Sequence, residues 1–231
     1  MQPTAGDVRR AGHARGTERG PPVSMKLMPS AYIHASAFAC GRRNSEDRGA
    51  VFEDERSLVV VVADGAGGMR GGATASDALV GAVRSSEWDI DSTWASIFRA
   101  TDENLAAHLA GETTGVAVAL TAVELVGVSA GDGQRGVGRR RDLDRRTDER
   151  PGEARLGSGR AVPTPFRRAR LDGTLVVATD GLFKYASADR IVAVVNGSPF
   201  ADVARALTEL VRLPSGSFQD DVGVVVVRAA S

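Results

Sequence analysis

Leu58-Val-Val-Val-Val-Ala-Asp-Gly-Ala-Gly-Gly68 decides the fold. The run Val59 to Val62 is short, continuous and β-branched, the pattern of a strand buried on both faces. It stops at a carboxylate, Asp64, and enters a glycine cluster of Gly65, Gly67, Gly68, Gly71 and Gly72. A buried strand ending in Asp-Gly sets a carboxylate at the rim of a core, and the glycines let backbone approach it closely. Taken alone, the stretch reads equally well as a strand followed by a flexible turn. Repetition decides between the readings. Glu124 to Ala130 reads as a strand that ends at Gly131-Asp132, and Leu175 to Ala178 as one that ends at Asp180-Gly181. A last strand, Val222 to Val227, is preceded by Asp220-Asp221.

Outward from these strands the chain reads as α+β. Tyr32 to Cys40 alternates loosely as a first strand, and Ala50 to Glu53 forms a second that pairs with Leu58 to Ala63. That hairpin puts Glu46 and Asp47 just ahead of the strand beside the one carrying Asp64. Ala73 to Arg84 has helical spacing, with Ala75, Ala78, Leu79, Ala82 and Val83 on one face. A second helix runs from Asp91 to about Ala110, with Asp91 or Ser92 as cap and Trp94, Ile97, Phe98, Leu105 and Leu109 on one side. Gly111 to Gly115 reads as a turn before a strand from Val116 to Val123. Phe166 to Arg170 marks the return of order after a polar stretch. Two further helices are expected, Ser187 to Val195 and Pro199 to Leu213, with Pro199 suited to a helix start.

Two segments break the pattern. Residues 1–29 are rich in Gly, Arg and Pro without apolar periodicity and are expected to be a disordered tail, leaving residues 30–231 as the domain. Met25 is an alternative start. Residues 133–157 are dense in Arg and Asp, so no buried strand is expected there. The segment is read as disordered or aberrant, the product a compensated frameshift would give, and the sheet is expected to lose a strand. GDGQRG at 131–136 matches G-x-G-x-x-G, but no apolar helix follows, so a dinucleotide fingerprint is rejected.

Composition narrows the function. The 231 residues are 42% hydrophobic, enough for one domain with a sizeable core. Lys plus Arg equals Asp plus Glu at 29 each, so charge balance argues for neither nucleic acid nor membrane as partner. With no apolar run long enough to span a bilayer and no secretory h-region, a cytoplasmic location is expected. Cys40 is the single cysteine, which excludes a multi-cysteine zinc site. The sixth residue after it is Glu46, not the arginine of a C-x5-R phosphatase loop, so Cys40 is expected to be a small buried residue.

The carboxylates Asp47, Asp64, Asp132, Asp180 and Asp220 or Asp221 all lie at strand ends, with no histidine among them. Hard oxygen donors of this kind suit Mg²⁺ or Mn²⁺ rather than zinc. Carboxylates gathered at one point repel each other unless cations neutralise them. Two ions about 4 Å apart can acidify a water for in-line attack at phosphorus.

Six motifs fall in an order that resembles the type 2C metal-dependent serine/threonine phosphatase family. They are Arg42-Arg-Asn-Ser-Glu-Asp47, Val62-Ala-Asp-Gly-Ala-Gly-Gly68, Gly111-Glu-Thr-Thr-Gly115, Gly131-Asp132, Ala178-Thr-Asp-Gly-Leu182 and Asp220-Asp-Val222. The resemblance implies a four-layer αββα sandwich of two antiparallel sheets flanked by helix pairs, with two Mn²⁺ or Mg²⁺ ions at one end. It implies that Asp64 bridges the ions, that the Gly65 carbonyl and Asp47 help hold one, and that Asp180 and Asp220 hold the other. Asp132 matches a weaker third site, Glu46 a supporting acidic position, and Arg42 the phosphate-binding arginine, a role its planar fork suits. The implied substrate is a phosphoserine or phosphothreonine protein, opposite a Ser/Thr kinase. Departures from the pattern are Ala66 after Asp64-Gly65, Gly133 after Asp132, and the Arg-rich run itself. The competing readings are an inactive phosphatase-like binding module and carboxylates that merely sit in solvated turns.

Overall fold

A computed structural model describes residues 31–41, 45–54, 56–66, 71–86, 93–131, 134–139, 142–147 and 154–230, with backbone alone for 93, 134–139 and 142–147. The expected tail, and the expected caps Asp91 and Ser92, lie outside the described residues. Ten strands and five helices are described. The strands are β1 (Tyr32–Ala39), β2 (Arg48–Glu53), β3 (Leu58–Gly65), β4 (Thr113–Leu120), β5 (Glu124–Ala130), β6 (Gln134–Arg139), β7 (Asp142–Thr147), β8 (Thr164–Ala169), β9 (Thr174–Ala178) and β10 (Val222–Ala229). The helices are α1 (Gly72–Arg84), α2 (Thr93–His108), α3 (Asp180–Tyr185), α4 (Ala188–Gly197) and α5 (Phe200–Glu209).

The strands form two antiparallel sheets, β1-β10-β9-β6-β7 and β2-β3-β4-β5-β8. Strand alternation explains the layers. In β3, Leu58, Val60 and Val62, with Val116 and Val118 of β4 beside them, face the other sheet, where they meet Leu175, Val177, Val225 and Val227. The intervening Val59, Val61 and Ala63 face α1 and α2, packing against Ala75, Leu79, Val83, Trp94 and Phe98. On the far side Val176, Ala178, Val224 and Val226 carry α3, α4 and α5 through Leu182, Ile191, Val203 and Leu207. Each central strand is thus buried on both faces, as a continuous valine run requires. The architecture is the αββα sandwich expected from the sequence.

The structure corrects several local expectations. Residues 134–139 and 142–147 are paired strands, β6 joining β9 from Gln134↔Ala178 to Gly138↔Thr174 and β7 pairing with β6. Ladder hydrogen bonds are made by backbone, so an Arg- and Asp-rich sequence can join the outer part of a sheet. Thr113 to Gly115 belong to β4 rather than to a turn, because Asp64 and Gly65 pair with Thr114 and Thr113. Leu109 is not on the buried face of α2: it follows the helix at φ 48° and is 91% exposed. Cys40 is exposed, not buried, because β1 stops at Ala39 and the chain leaves the sheet there. Pro199 sits at the N-cap of α5, one residue ahead of the helix.

Candidate metal-binding site

Antiparallel pairing brings the acidic strand ends to one end of the sandwich. Arg48 pairs with Ala63, so Asp47, just before β2, lies beside Asp64 at the end of β3. In the other sheet Val224 pairs with Ala178, so the start of β10 lies beside the exit of β9. There Thr179 leads into α3 at Asp180, and Asp220-Asp221 precedes β10. A side-chain hydrogen bond joins the two groups across the sandwich: the Thr179 hydroxyl donates to Asp47 Oδ2 at 2.8 Å. Thr179 is fixed in turn by the second sheet, since its Oγ1 accepts the Gly223 N–H at 2.8 Å and its N–H donates to the Gly223 carbonyl at 2.9 Å.

Close backbone approach makes the meeting possible. A Cβ on Gly181 would overlap the Asp221 carbonyl oxygen, and one on Gly41 would meet the Asp220 carbonyl. Only glycine lets the Asp220-Asp221 turn fit between the start of α3 and the end of β1. Gly65 is hemmed in similarly, between Gly72 and the Glu46 side chain. The Glu46 carboxyl lies against Gly72 at the start of α1. That helix has no acidic residue in its first turn and no side-chain cap, so Glu46 supplies the negative charge its N-terminus favours.

The adjacent aspartates 220 and 221 serve different ends. Asp221 accepts the Gly41 N–H at 2.8 Å and the Glu46 N–H at 2.9 Å, tying both flanks of residues 42–45 to the start of β10. Asp220 instead faces Lys184, with 3.8 Å between Nζ and Oδ2. The Lys184 ammonium also pairs with Asp180, one helical turn away. Burial alone would lower the Lys184 ammonium, but the hydrogen bond and charge of Asp180, with Asp220 and Asp64 adding, hold it above its ordinary value.

Asp47 is the most deeply buried acid at this end, 5% exposed. Burial pushes its carboxyl up to about 7; the Thr179 hydroxyl counters this in part, and the charges of Asp221, Asp180 and Asp220 add to it. A second network holds Asp64 from behind. The Thr113 hydroxyl donates to the Asp64 carbonyl at 2.9 Å and lies 3.0 Å from the Ser76 hydroxyl, coupling β3, β4 and α1.

The donor set fits a hard divalent cation: the acids are hard oxygen donors, and a buried one is pushed up by burial and then by the charges of its neighbours, a condition a cation relieves. Among the described residues, though, no three acidic, histidine or cysteine side chains are gathered as closely as one ion needs. Lys184 lies against two of them. Of the residues singled out in the sequence, Asp47, Asp64, Gly65, Asp180 and Asp220 are brought to this end, whereas Arg42 and Asp132 lie outside the described residues. Gly131, next to Asp132, follows β5, whose Ala130 pairs with Gly115 at the same end of the sheet. Sequence reasoning missed Thr179 and Lys184. The signal for Lys184 was its i,i+4 spacing from Asp180, legible only once α3 is known to be a helix.

No protein-family model matches the chain, and no curated protein matches it in sequence. Solved structures do resemble it. The catalytic domain of the serine/threonine protein phosphatase PstP, in complex with two manganese ions, superposes with a TM-score of 0.70 at 22% identity, over 87% of this chain and 99% of that one. The serine/threonine phosphatase of S. agalactiae gives 0.75 at 19% identity, over 86% and 100%. Serine/threonine phosphatase Stp1 from Staphylococcus aureus gives 0.74 at 17% identity, over 92% and 99%. The chain therefore has the fold of the bacterial type 2C serine/threonine phosphatases. Among the described residues no helix is long and apolar enough to cross a membrane.

Proposed function

We propose that this chain is a metal-dependent phosphatase acting on phosphoserine and phosphothreonine proteins in the cytoplasm, opposite a Ser/Thr kinase. The observation that carries the reading is the meeting of carboxylates from both sheets at one end of this fold, joined by the Thr179–Asp47 bond. Asp64, the Gly65 carbonyl and Asp47 would hold one Mn²⁺ or Mg²⁺ ion, and Asp64, Asp180 and Asp220 a second; Asp132 would serve a weaker third. When bound, such ions supply an acidified water and charge neutralisation for displacement at phosphorus.

The protein's own share is positioning. Thr179 fixes the orientation of the Asp47 carboxylate by donating to Oδ2, leaving Oδ1 for a ligand. Asp221 holds Gly41 and Glu46, the described residues that flank residues 42–45. Arg42 would pair with two phosphate oxygens and orient the ester for in-line attack.

The test is hydrolysis of p-nitrophenyl phosphate and of phosphoserine, phosphothreonine and phosphotyrosine peptides, with Mn²⁺, Mg²⁺ or chelator. Turnover should require metal, favour the serine and threonine peptides, and fall about 100-fold or more in Asp64→Asn and Asp180→Asn. Folded, metal-saturated protein without turnover would sink the proposal.

A further inference from the structure

We propose that Lys184 is a built-in counter-ion of the acidic end, which a metal ion must displace before it can occupy the Asp180–Asp220 side. The inference deepens the phosphatase reading and rests on it for the identity of the displacing ion. Its basis is placement. Asp180 opens α3, and one turn later Lys184 returns to the same face, its ammonium paired with Asp180 and 3.8 Å from Asp220 Oδ2. Two of the three carboxylates assigned to the second ion thus share one ammonium, and the charge of Asp64 adds to its hold. The neighbouring cation Arg48 does not compete for them. Its guanidinium goes to Asp77 and to the carbonyls of Ser45 and Asp47.

Two features make this a displaceable occupant rather than a fixed structural pair. The Lys184 side chain is 47% exposed, while Asp180 and Asp220 are 12% and 34% exposed. The ammonium can therefore swing into water on its flexible stem, while the carboxylates stay behind for another cation. An ammonium and a divalent ion cannot share these oxygens, because like charges a few ångströms apart repel. A metal entering here gives up the ion pair and meets that repulsion; one entering between Asp47 and Asp64 meets less of it. The two ions should accordingly bind unequally, with the Asp180–Asp220 side the weaker. Lys184 would then set the metal concentration at which the site fills, and would limit carboxylate repulsion when metal is scarce.

The experiment is titration of the full, metal-free chain with Mn²⁺ alone, followed by calorimetry and by the fall of the free-Mn²⁺ paramagnetic resonance signal. Wild type is compared with Lys184→Met, Lys184→Gln and Lys184→Arg. The two neutral variants should tighten the weaker Mn²⁺ site roughly 3–10-fold, while melting at a lower temperature than wild type without metal. Lys184→Arg, which keeps the charge, should stay within about twofold of wild type. Unchanged or weaker Mn²⁺ binding in both neutral variants, with wild type binding normally, would overturn the displacement while leaving the metal-centre reading intact. Failure of wild type and all variants to bind Mn²⁺ would overturn both.

Discussion

Asp47 should make the metal-free protein lose stability as pH rises, and replacing its charge should restore it. The carboxyl is 5% exposed and pushed to about 7, against an ordinary value of 3.8, first by burial and then by Asp221, Asp180 and Asp220. A group raised in the folded state contributes stability that is complete below its unfolded value, near pH 4, and is lost as pH rises through about 7. The gap of about 3 units at 1.36 kcal/mol each gives at most ~4 kcal/mol. Rearrangement of the neighbouring carboxylates and of Lys184 spreads the charge and lowers this, so ~2–4 kcal/mol is expected. The assay is urea unfolding of the metal-free chain at pH 5 and pH 8, for wild type and Asp47→Asn. The variant's amide oxygen can still accept the Thr179 hydroxyl, so the comparison isolates the charge. Asp47→Asn should already be the more stable at pH 5 by ~1–1.5 kcal/mol, because the unfolded carboxyl ionises near pH 4, and the lead should widen to ~2–4 kcal/mol at pH 8. Saturating Mn²⁺ at pH 8 should rescue wild type and not the variant. Parallel pH profiles, or an Asp47→Asn protein less stable than wild type at pH 8, would refute the argument that this carboxylate is strained by its neighbours.

Two other carboxylates have the opposite, stabilising role. Asp221→Ala removes the acceptor of the Gly41 and Glu46 N–H bonds and should cost ~2–4 kcal/mol in urea unfolding, with faster hydrogen exchange at those two amides. Asp102, 3% exposed on α2, accepts the N–H groups of Gly157, Gly159 and Ala161 at 2.7, 2.9 and 3.0 Å. Asp102→Ala should cost ~3–5 kcal/mol and free exchange at all three amides, whereas unchanged exchange there would show that the loop holds itself.

Much of this arrangement was legible because its signals were local. The valine runs of β3 and β10 could only be strands buried on both faces, and the Asp-Gly steps marked where those strands leave the core. What could not be read depended on distant backbone. Asp180–Tyr185 is too short for helical periodicity to appear, so α3 was missed, and with it Lys184. Nothing local distinguishes Asp220 from Asp221; the distinction comes from Gly41 and Glu46, some 175 to 180 residues earlier, which claim the second carboxylate. Thr113 and Thr114 look like turn residues beside Gly115, and become strand because Asp64 and Gly65 need ladder partners. Cys40 looked like core by residue type, yet the sheet ends one residue before it.

The Arg-rich stretch bears most directly on whether the acidic end is supported. A strand needs apolar side chains only where its faces are covered, while its ladder is made by backbone whatever the side chains are. β9 is buried along its whole length, Thr174 to Ala178, and leads straight to Thr179 and Asp180. Without a neighbour on its second edge it would expose unpaired N–H and C=O groups at the base of the site. β6 covers that edge, and its first pair, Gln134↔Ala178, lies two residues from Asp180. β7 then becomes the outermost strand, and its sequence Asp-Leu-Asp-Arg-Arg-Thr is the charged kind that discourages further pairing. A segment unable to build a core can thus still close a sheet, and here it does so beside the strand that delivers Asp180.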